Sequence, residues 1–395
     1  MYQLNDNYLR PKKAQWLRRM YATPFEKREN LRVWQGEHAT VLPLRPIPGE
    51  GVLFGRGGVV DKDGQYVELS GIPTRIWNGY SFEKPEYRDE RVVFCGYLVN
   101  HWGHFLVEAV TRLWYFLEKS PPLVDKYVFF LKEGESREIG GNYREFLKLL
   151  GIWDKVEIIC VPTTYREVIV PEIAFRCMEF YSPKFLDIFD AVAAHVAPEP
   201  DWKPESKIFF TRTSFYKGNH FEFGGDALDN FFERNGYAVL HPENLSLSRM
   251  IYLIRNAEVV ATLSGSAQHN MLFAQNGQKH LILERLVINV DYQVSINQMR
   301  SLDVTPIDAN FHLYTVDTVG PLMLGCNHIL EKFISDNGLQ PPDEIYRSKK
   351  YRDQCFKAYM ASYQDNYRYR WHMEPWYPVI ADSLYEAYED NYHYF

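Results

Sequence analysis

The stretch Glu258-Val259-Val260-Ala261-Thr262-Leu263-Ser264-Gly265-Ser266-Ala267-Gln268-His269-Asn270 decides the fold. Its first six residues read as a short apolar strand, Ser264-Gly265-Ser266 as a loop of small residues, and 267–274 as a helix. Working outward, the same alternation continues in both directions. Strand 207–211 leads to helix 226–234 and strand 237–240, then helix 247–255. Strand 280–284 comes after the quoted stretch. Alternating strands and helices with short loops imply right-handed crossovers and a parallel, Rossmann-like sheet.

Upstream, Ala197-Pro198-Glu199-Pro200-Asp201-Trp202-Lys203-Pro204 reads as an interdomain linker, because each proline fixes φ. Before it, residues 38–99 are strand-rich, and Asp63-Gly64 between Val59-Val60 and Tyr66-Val67 is a hairpin signal. One long apolar helix is expected over about 103–118. A strand near 127–131, a helix near 143–150 and strands near 156–161 and 167–170 come next. The expected domains are therefore 1–197, a linker 198–206, a Rossmann-like domain 207–335, and an aromatic helical segment 336–395 packing back across both.

Composition narrows the function. The chain has 395 residues, 46% hydrophobic and 24% charged, with a net charge of -7. That balance argues against fibrous or disordered chains and against a general electrostatic grip on nucleic acid. Cys95, Cys160, Cys177, Cys326 and Cys355 are odd in number and contain no CxxC pair, so reduced thiols in a cytoplasmic setting are expected. No apolar run approaches about 18 residues, and 1–20 is polar and basic, so neither a spanning helix nor a secretory signal is expected. Aromatics reach 16%, a surplus that serves packing or stacking on sugar rings.

In an open parallel sheet, ligands bind outside the carboxyl ends of the strands. Arg212, then His241-Pro242-Glu243, then Ser264 to Asn270, then Glu284-Arg285 occupy those ends. Small residues before a helix N-terminus suit phosphate, Arg212 adds a bidentate cation, and Glu243 or Glu284 accepts from ribose hydroxyls. The loop lacks both the Gly-Lys-[Ser/Thr] ending of a Walker motif and the GxGxxG of nicotinamide sites.

A second constellation is Asn100-His101-Trp102-Gly103-His104-Phe105-Leu106-Val107-Glu108-Ala109-Val110-Thr111-Arg112. His104, Glu108 and Arg112 are spaced four apart, a polar stripe on an apolar helix. Either His104 is a general base oriented by Glu108, or Glu108 and Arg112 pair beside a structural histidine. Asp61-Lys62-Asp63 matches a metal-binding DxD formally, but lies on the expected hairpin tip. The basic and aromatic stretch Tyr8 to Tyr21 rests either on an anionic membrane or on the domain itself.

Gly103-His104-Phe105-Leu106-Val107-Glu108 followed by Arg112-Leu113-Trp114 resembles the first motif of the family-61 glycosyltransferases. Further matches occur in order: Leu150-Gly151-Ile152, Phe210-Thr211-Arg212, Gly236-Tyr237, Pro242 to Leu247, Ala257 to Thr262, and Gly265-Ser266-Ala267 with Asn270 to Phe273. The resemblance implies an α/β GT-B fold of two Rossmann-like domains facing a cleft. It also implies inverting, metal-independent transfer from a nucleotide sugar, commonly UDP-linked, to polysaccharide or glycoprotein acceptors. No cofactor is expected.

By that resemblance Arg212, Gly265, Ser266, Ala267 and Asn270 line the donor site; Ser264 and His269 of the same loop, and Glu243 and Glu284 as ribose acceptors, are added from their place at the strand ends. His104 and Glu108 lie on the acceptor side with Asn100, His101 and Arg112. Ser264 stands where many members carry His, and Lys217 to Glu222 replaces the usual Arg and Asn-Glu, so Lys217 is the expected substitute. The expected partners are a nucleotide-sugar donor and an oligosaccharide or lipid-linked glycan acceptor of surface polysaccharide synthesis. The expected location is the cytoplasm or the inner face of the membrane. The alternative is a non-catalytic sugar-binding or assembly subunit on a degenerate version of the fold.

Overall fold

A computed structural model describes residues 3–49, 54–72, 75–76, 78–118, 123–135, 138–215, 221–286, 291–311, 313 and 320–370, with 383, 384, 386 and 388 near the C-terminus. The chain divides into two units. One is Pro24–Pro198 with Ser246–Ser248; the other is Met1–Thr23 with Glu199–Leu245 and Arg249–Phe395. The division thus falls between Pro198 and Glu199, and the first 23 residues fold with the second unit rather than with 24–197.

The first unit is built on β1 (Val33–Glu37), β2 (Thr40–Pro46), β3 (Gly55–Val60), β4 (Glu86–Tyr97), β5 (Lys126–Phe130), β6 (Val156–Ile159) and β7 (Thr163–Pro171). They form one sheet in the order β3-β2-β7-β4-β5-β6, with β1 also on β7. Strands β7, β4, β5 and β6 run parallel. In chain order that is the 3-2-1-4 arrangement of a Rossmann half, with its switch point between β4 and β7. The antiparallel strands β1, β2 and β3 extend it.

This sheet rolls on itself. Tyr165 at the start of β7 donates to Glu157 on β6 at 2.9 Å, and Leu44 of β2 bridges to Lys132 just past β5. The roll encloses Val41, Leu44, Val92, Phe94, Val128 and Val168, all fully buried. Each such side chain contributes roughly 1.5–3 kcal/mol. The expected hairpin tip is found: Asp61 Oδ1 accepts from the backbone N–H of Asp63 at 2.9 Å and of Gln65 at 2.8 Å.

The helix expected over 103–118 is instead three short turns: an α-turn at Trp102–His104, a π-turn at Phe105–Ala109 and a 3-10 turn at Leu113–Leu117. A π-turn adds one residue to the helical repeat, so the residues beyond it are rotated off the original face. Arg112 is carried away from the His104–Glu108 stripe into the interior. It is 0% exposed and donates to Pro171 O at 3.1 Å, Leu69 O at 2.7 Å and Gly71 O at 2.9 Å. Gly96 makes room for it: φ there is +101°, and a Cβ would sit 3.2 Å from Arg112 Nη1.

The second unit holds β8 (Lys207–Phe210), β9 (Ala238–Leu240), β10 (Val259–Leu263), β11 (Lys279–Glu284) and β12 (Asp303–Asp308). All are parallel, in the order β9-β8-β10-β11-β12, and the short strand Gln3–Leu4 adds beyond β12. In chain order this is 2-1-3-4-5, a doubly wound sheet whose switch point lies between β8 and β10. Helix Gly225–Arg234 buries Leu228, Phe231 and Phe232, and helix His328–Asp336 buries Leu330 and Phe333; both join Phe209, Leu263, Leu283 and Ile307 in one core. Helix Pro11–Ala22 lies on this unit through Ala14, Leu17, Met20 and Tyr21.

The aromatic C-terminal segment is helical over Lys349–Arg370. Its buried Phe356, Tyr359 and Met360 pack on Phe311, Leu313 and Met323 of their own unit. The acidic tail beyond 370 lies almost wholly outside the described residues. Among the described residues, no helix is long and apolar enough to cross a membrane.

Candidate functional site

In the first unit the chain leaves β4 at the switch point, passes the exposed Asn100 and His101, and enters the three turns. The π-turn brings Glu108 back onto His104, with Glu108 Oε1 3.3 Å from His104 Nδ1. Glu108 is buried, and its charge is met by Arg75, whose Nε donates to the same oxygen at 2.7 Å. The Glu108–Arg112 ion pair, one of the two readings of the stripe, gives way to this one.

Arg75 Nη2 stands 3.1 Å from Nδ1 and 3.4 Å from Nε2 of His104. The two ring nitrogens flank one carbon and their lone pairs diverge. A donor nearly equidistant from both therefore lies over the ring face, not along either lone pair. Glu108 Oε1 is placed to accept an Nδ1–H, the arrangement that orients an imidazole acting through Nε2. His101 lies beside it, ring centroids 4.8 Å apart. Arg112, expected here, is instead the buried clamp described above; burial lowers its pKa to about 10.

In the second unit, the loops after β8 and β10 flank the switch point. Arg212 lies just past β8, and its Nε donates to both carboxylate oxygens of Glu222, at 2.9 and 3.1 Å. Glu222 also accepts from Arg285 Nη1 at 3.2 Å. Arg285 in turn donates through Nε to the Ser264 carbonyl, and its backbone N–H donates to Ser264 Oγ at 3.1 Å. One carboxylate between two guanidiniums thus joins the loops after β8, β10 and β11. Gly265 adopts φ +141° and ψ −163°, a region open essentially to glycine alone. Beyond it, half-buried Ser266 and Ala267 begin the eight-residue 3-10 helix Ser266–Phe273, where an α-helix was expected.

Other expected donor residues lie elsewhere. His269 is buried, its Nδ1 3.1 Å from Gln293 Oε1 in a chain that continues through Asn297 to the Tyr21 hydroxyl. Asn270 is buried and donates to the Ala267 carbonyl at 2.9 Å. Glu284 is not presented to a ribose: it accepts from Lys13 Nζ at 3.3 Å inside the unit, and Lys13 also meets Asp308 at 3.0 Å. Burial raises the Glu284 pKa, against the pull of Lys13. Glu243 remains at the surface, on the turn Pro242–Asn244 after β9, with His241 Nδ1 3.9 Å away. Lys217 lies outside the described residues.

Four charged side chains that hold these clusters together carry no site reading in the sequence: Arg75, Glu222, Arg285 and Lys13. Arg75 and Lys13 lie far in sequence from their partners and carry no periodic signal. Glu222 and Arg285 adjoin the strand-end residues, and their charge beside Arg212 and Glu284 was the available clue.

The family model described as Glycosyltransferase 61 matches residues 102–281. No curated protein matches the chain. The matched segment opens two residues before His104 and closes within β11, so it contains Glu108, Arg212 and the Ser264–Asn270 loop, but not Arg75 or Arg285.

Proposed function

We propose, from the match of residues 102–281 to the family-61 glycosyltransferase model, that this chain is such an enzyme and carries out inverting, metal-independent transfer of a sugar from a nucleotide sugar, UDP-linked, to a hydroxyl of a glycan acceptor in surface polysaccharide synthesis. The observation that carries this reading is the His104–Glu108 contact with Arg75 behind it. Glu108 holds Nδ1–H, and Nε2 takes the acceptor hydroxyl proton as the acceptor oxygen attacks the anomeric carbon. The bond from that carbon to the phosphate oxygen breaks on the opposite face, which inverts the centre and releases the nucleoside diphosphate.

In the second unit, Arg212 and the backbone at Gly265 to Ala267 meet the developing diphosphate charge. Donors fixed in place before the reaction supply most of the stabilisation in such transfers, because nothing has to reorganise as the charge appears. Glu243 accepts from the ribose. The doubly wound 2-1-3-4-5 sheet and the 3-2-1-4 parallel run of the other unit support assignment to the GT-B class. The exposed Lys12 and Arg19 of helix Pro11–Ala22 support an acceptor carried on an anionic lipid surface at the cytoplasmic face.

The test is thermal stabilisation by UDP, GDP, CMP and their sugars, with and without EDTA. Selective stabilisation by a uridine nucleotide, unchanged by EDTA, supports the reading. No shift with any of them on a cooperatively melting protein favours the non-catalytic subunit.

A further inference from the structure

Glu222 is a carboxylate placed where an anionic ligand is expected, which by charge alone is the wrong residue. Its side chain is 3% exposed, so its own charge is buried and must be met. It is met twice, by Arg212 Nε from the β8 side and by Arg285 Nη1 from the β11 side. The geometry of the two guanidiniums differs. Arg212 spends only Nε on Glu222; its Nη1 and Nη2 have no hydrogen-bond partner among the described residues, its Cζ lies 5.0 Å from the centroid of the Phe215 ring, and its side chain is 16% exposed. Arg285 turns inward and braces the Ser264–Gly265 loop from beneath, Nε on the Ser264 carbonyl and Nη2 3.2 Å from where a Gly265 Cβ would be.

We infer that Glu222 is the positioning residue of the donor site: one carboxylate aims the outer edge of Arg212 at the diphosphate and locks Arg285 under the loop that presents the backbone N–H groups. The inference rests on the nucleotide-sugar reading above. Glu222 does not touch the donor. It fixes two elements that do, so that neither has to be ordered at the moment of binding. A carboxylate is required because it accepts on every lone pair, whereas an amide would turn an N–H toward one of the arginines.

Charge and position predict opposite outcomes. If Glu222 only offsets positive charge, Glu222→Gln raises the affinity for any anion. If it positions, the same change lowers it. The experiment is calorimetric titration of the wild-type chain with UDP, GDP, ADP and inorganic pyrophosphate, then of Glu222→Gln and Glu222→Asp with the best-bound nucleotide and with pyrophosphate. The expected result is that both variants bind the nucleoside diphosphate roughly tenfold more weakly, the loss of about one charge-assisted hydrogen bond. Glu222→Asp loses it despite keeping its charge, because the shorter arm cannot reach both arginines. Donor KM rises more than kcat falls.

Unchanged or tighter binding by Glu222→Gln, or an unaltered Glu222→Asp, overturns the inference. If the Glu222 variants do not fold, Arg285→Lys decides: it keeps the charge but cannot hold Glu222 and Ser264 together, so weaker nucleotide binding is expected and unchanged binding overturns the inference. Failure of the wild-type chain to bind any of these nucleotides refutes the nucleotide-sugar reading itself, a result distinct from all of these.

Discussion

Arg75 and Glu108 are 33 residues apart in the chain and 2.7 Å apart in space, joining the loop after β3 to the π-turn after β4. Glu108 is buried, and a buried carboxylate stays charged only when a cation and hydrogen bonds compensate it. Arg75 therefore supplies the cation that compensates Glu108, the carboxylate 3.3 Å from His104 Nδ1.

Arg75→Met is expected to lower kcat by about 10- to 100-fold, the scale of a misaligned general base, while donor affinity stays within about twofold. Steady-state kinetics with a separate nucleotide titration checks it. An unchanged kcat would mean that Glu108 orients His104 unaided.

Lys13→Met removes the cation between Glu284 and Asp308 and leaves two buried carboxylates facing each other. The expected cost is about 3–5 kcal/mol at neutral pH. Burial already raises the folded-state pKa of Glu284, and loss of Lys13 raises it further. A carboxyl with a raised folded-state pKa loses stability as pH rises through that value and keeps it below the unfolded value. The deficit in melting temperature relative to wild type should therefore be larger at pH 8 than at pH 5. An equal deficit at both would show that packing, not charge, is lost.

His280 is fully buried on β11, its Nε2 2.9 Å from Thr262 Oγ1, and burial lowers its pKa to about 3. A base with a depressed folded-state pKa lends stability above its unfolded value, near 6.5, and loses it as pH falls. Wild-type unfolding free energy should drop by up to about 1.4 kcal/mol per pH unit from this group below pH 6, and His280→Gln should remove that component of the slope. Urea unfolding at pH 6, 5 and 4 measures it; parallel slopes in the two proteins would contradict the assignment.

Strands β8, β10 and β11 were legible because strands covered on both faces are apolar runs bounded by small or polar residues, as Val259–Leu263 before Ser264-Gly265 shows. The placement of Arg212 and Ser264 at strand ends came from that alternation. Strand β12 was not legible: Asp303–Asp308 carries Asp at both ends and a proline, and pairs because β11 offers it an edge. The turns after His104 were not legible either, since an apolar run looks the same whether its hydrogen bonds close at four or five residues. The buried carbonyls of Leu69, Gly71 and Pro171 that hold Arg112 come from distant segments. For the same reason Glu284 looked like a ribose acceptor until helix Pro11–Ala22 supplied Lys13.

Proton transfer from the acceptor hydroxyl to His104 is the step on which the proposed reaction depends. It is tested most directly by comparing His104→Ala with wild type in one preparation, measuring sugar transfer and nucleoside diphosphate binding together. The expected result is transfer reduced by at least about 10²- to 10⁴-fold with binding unchanged. Transfer at the wild-type rate by His104→Ala would contradict the role of His104 as the base.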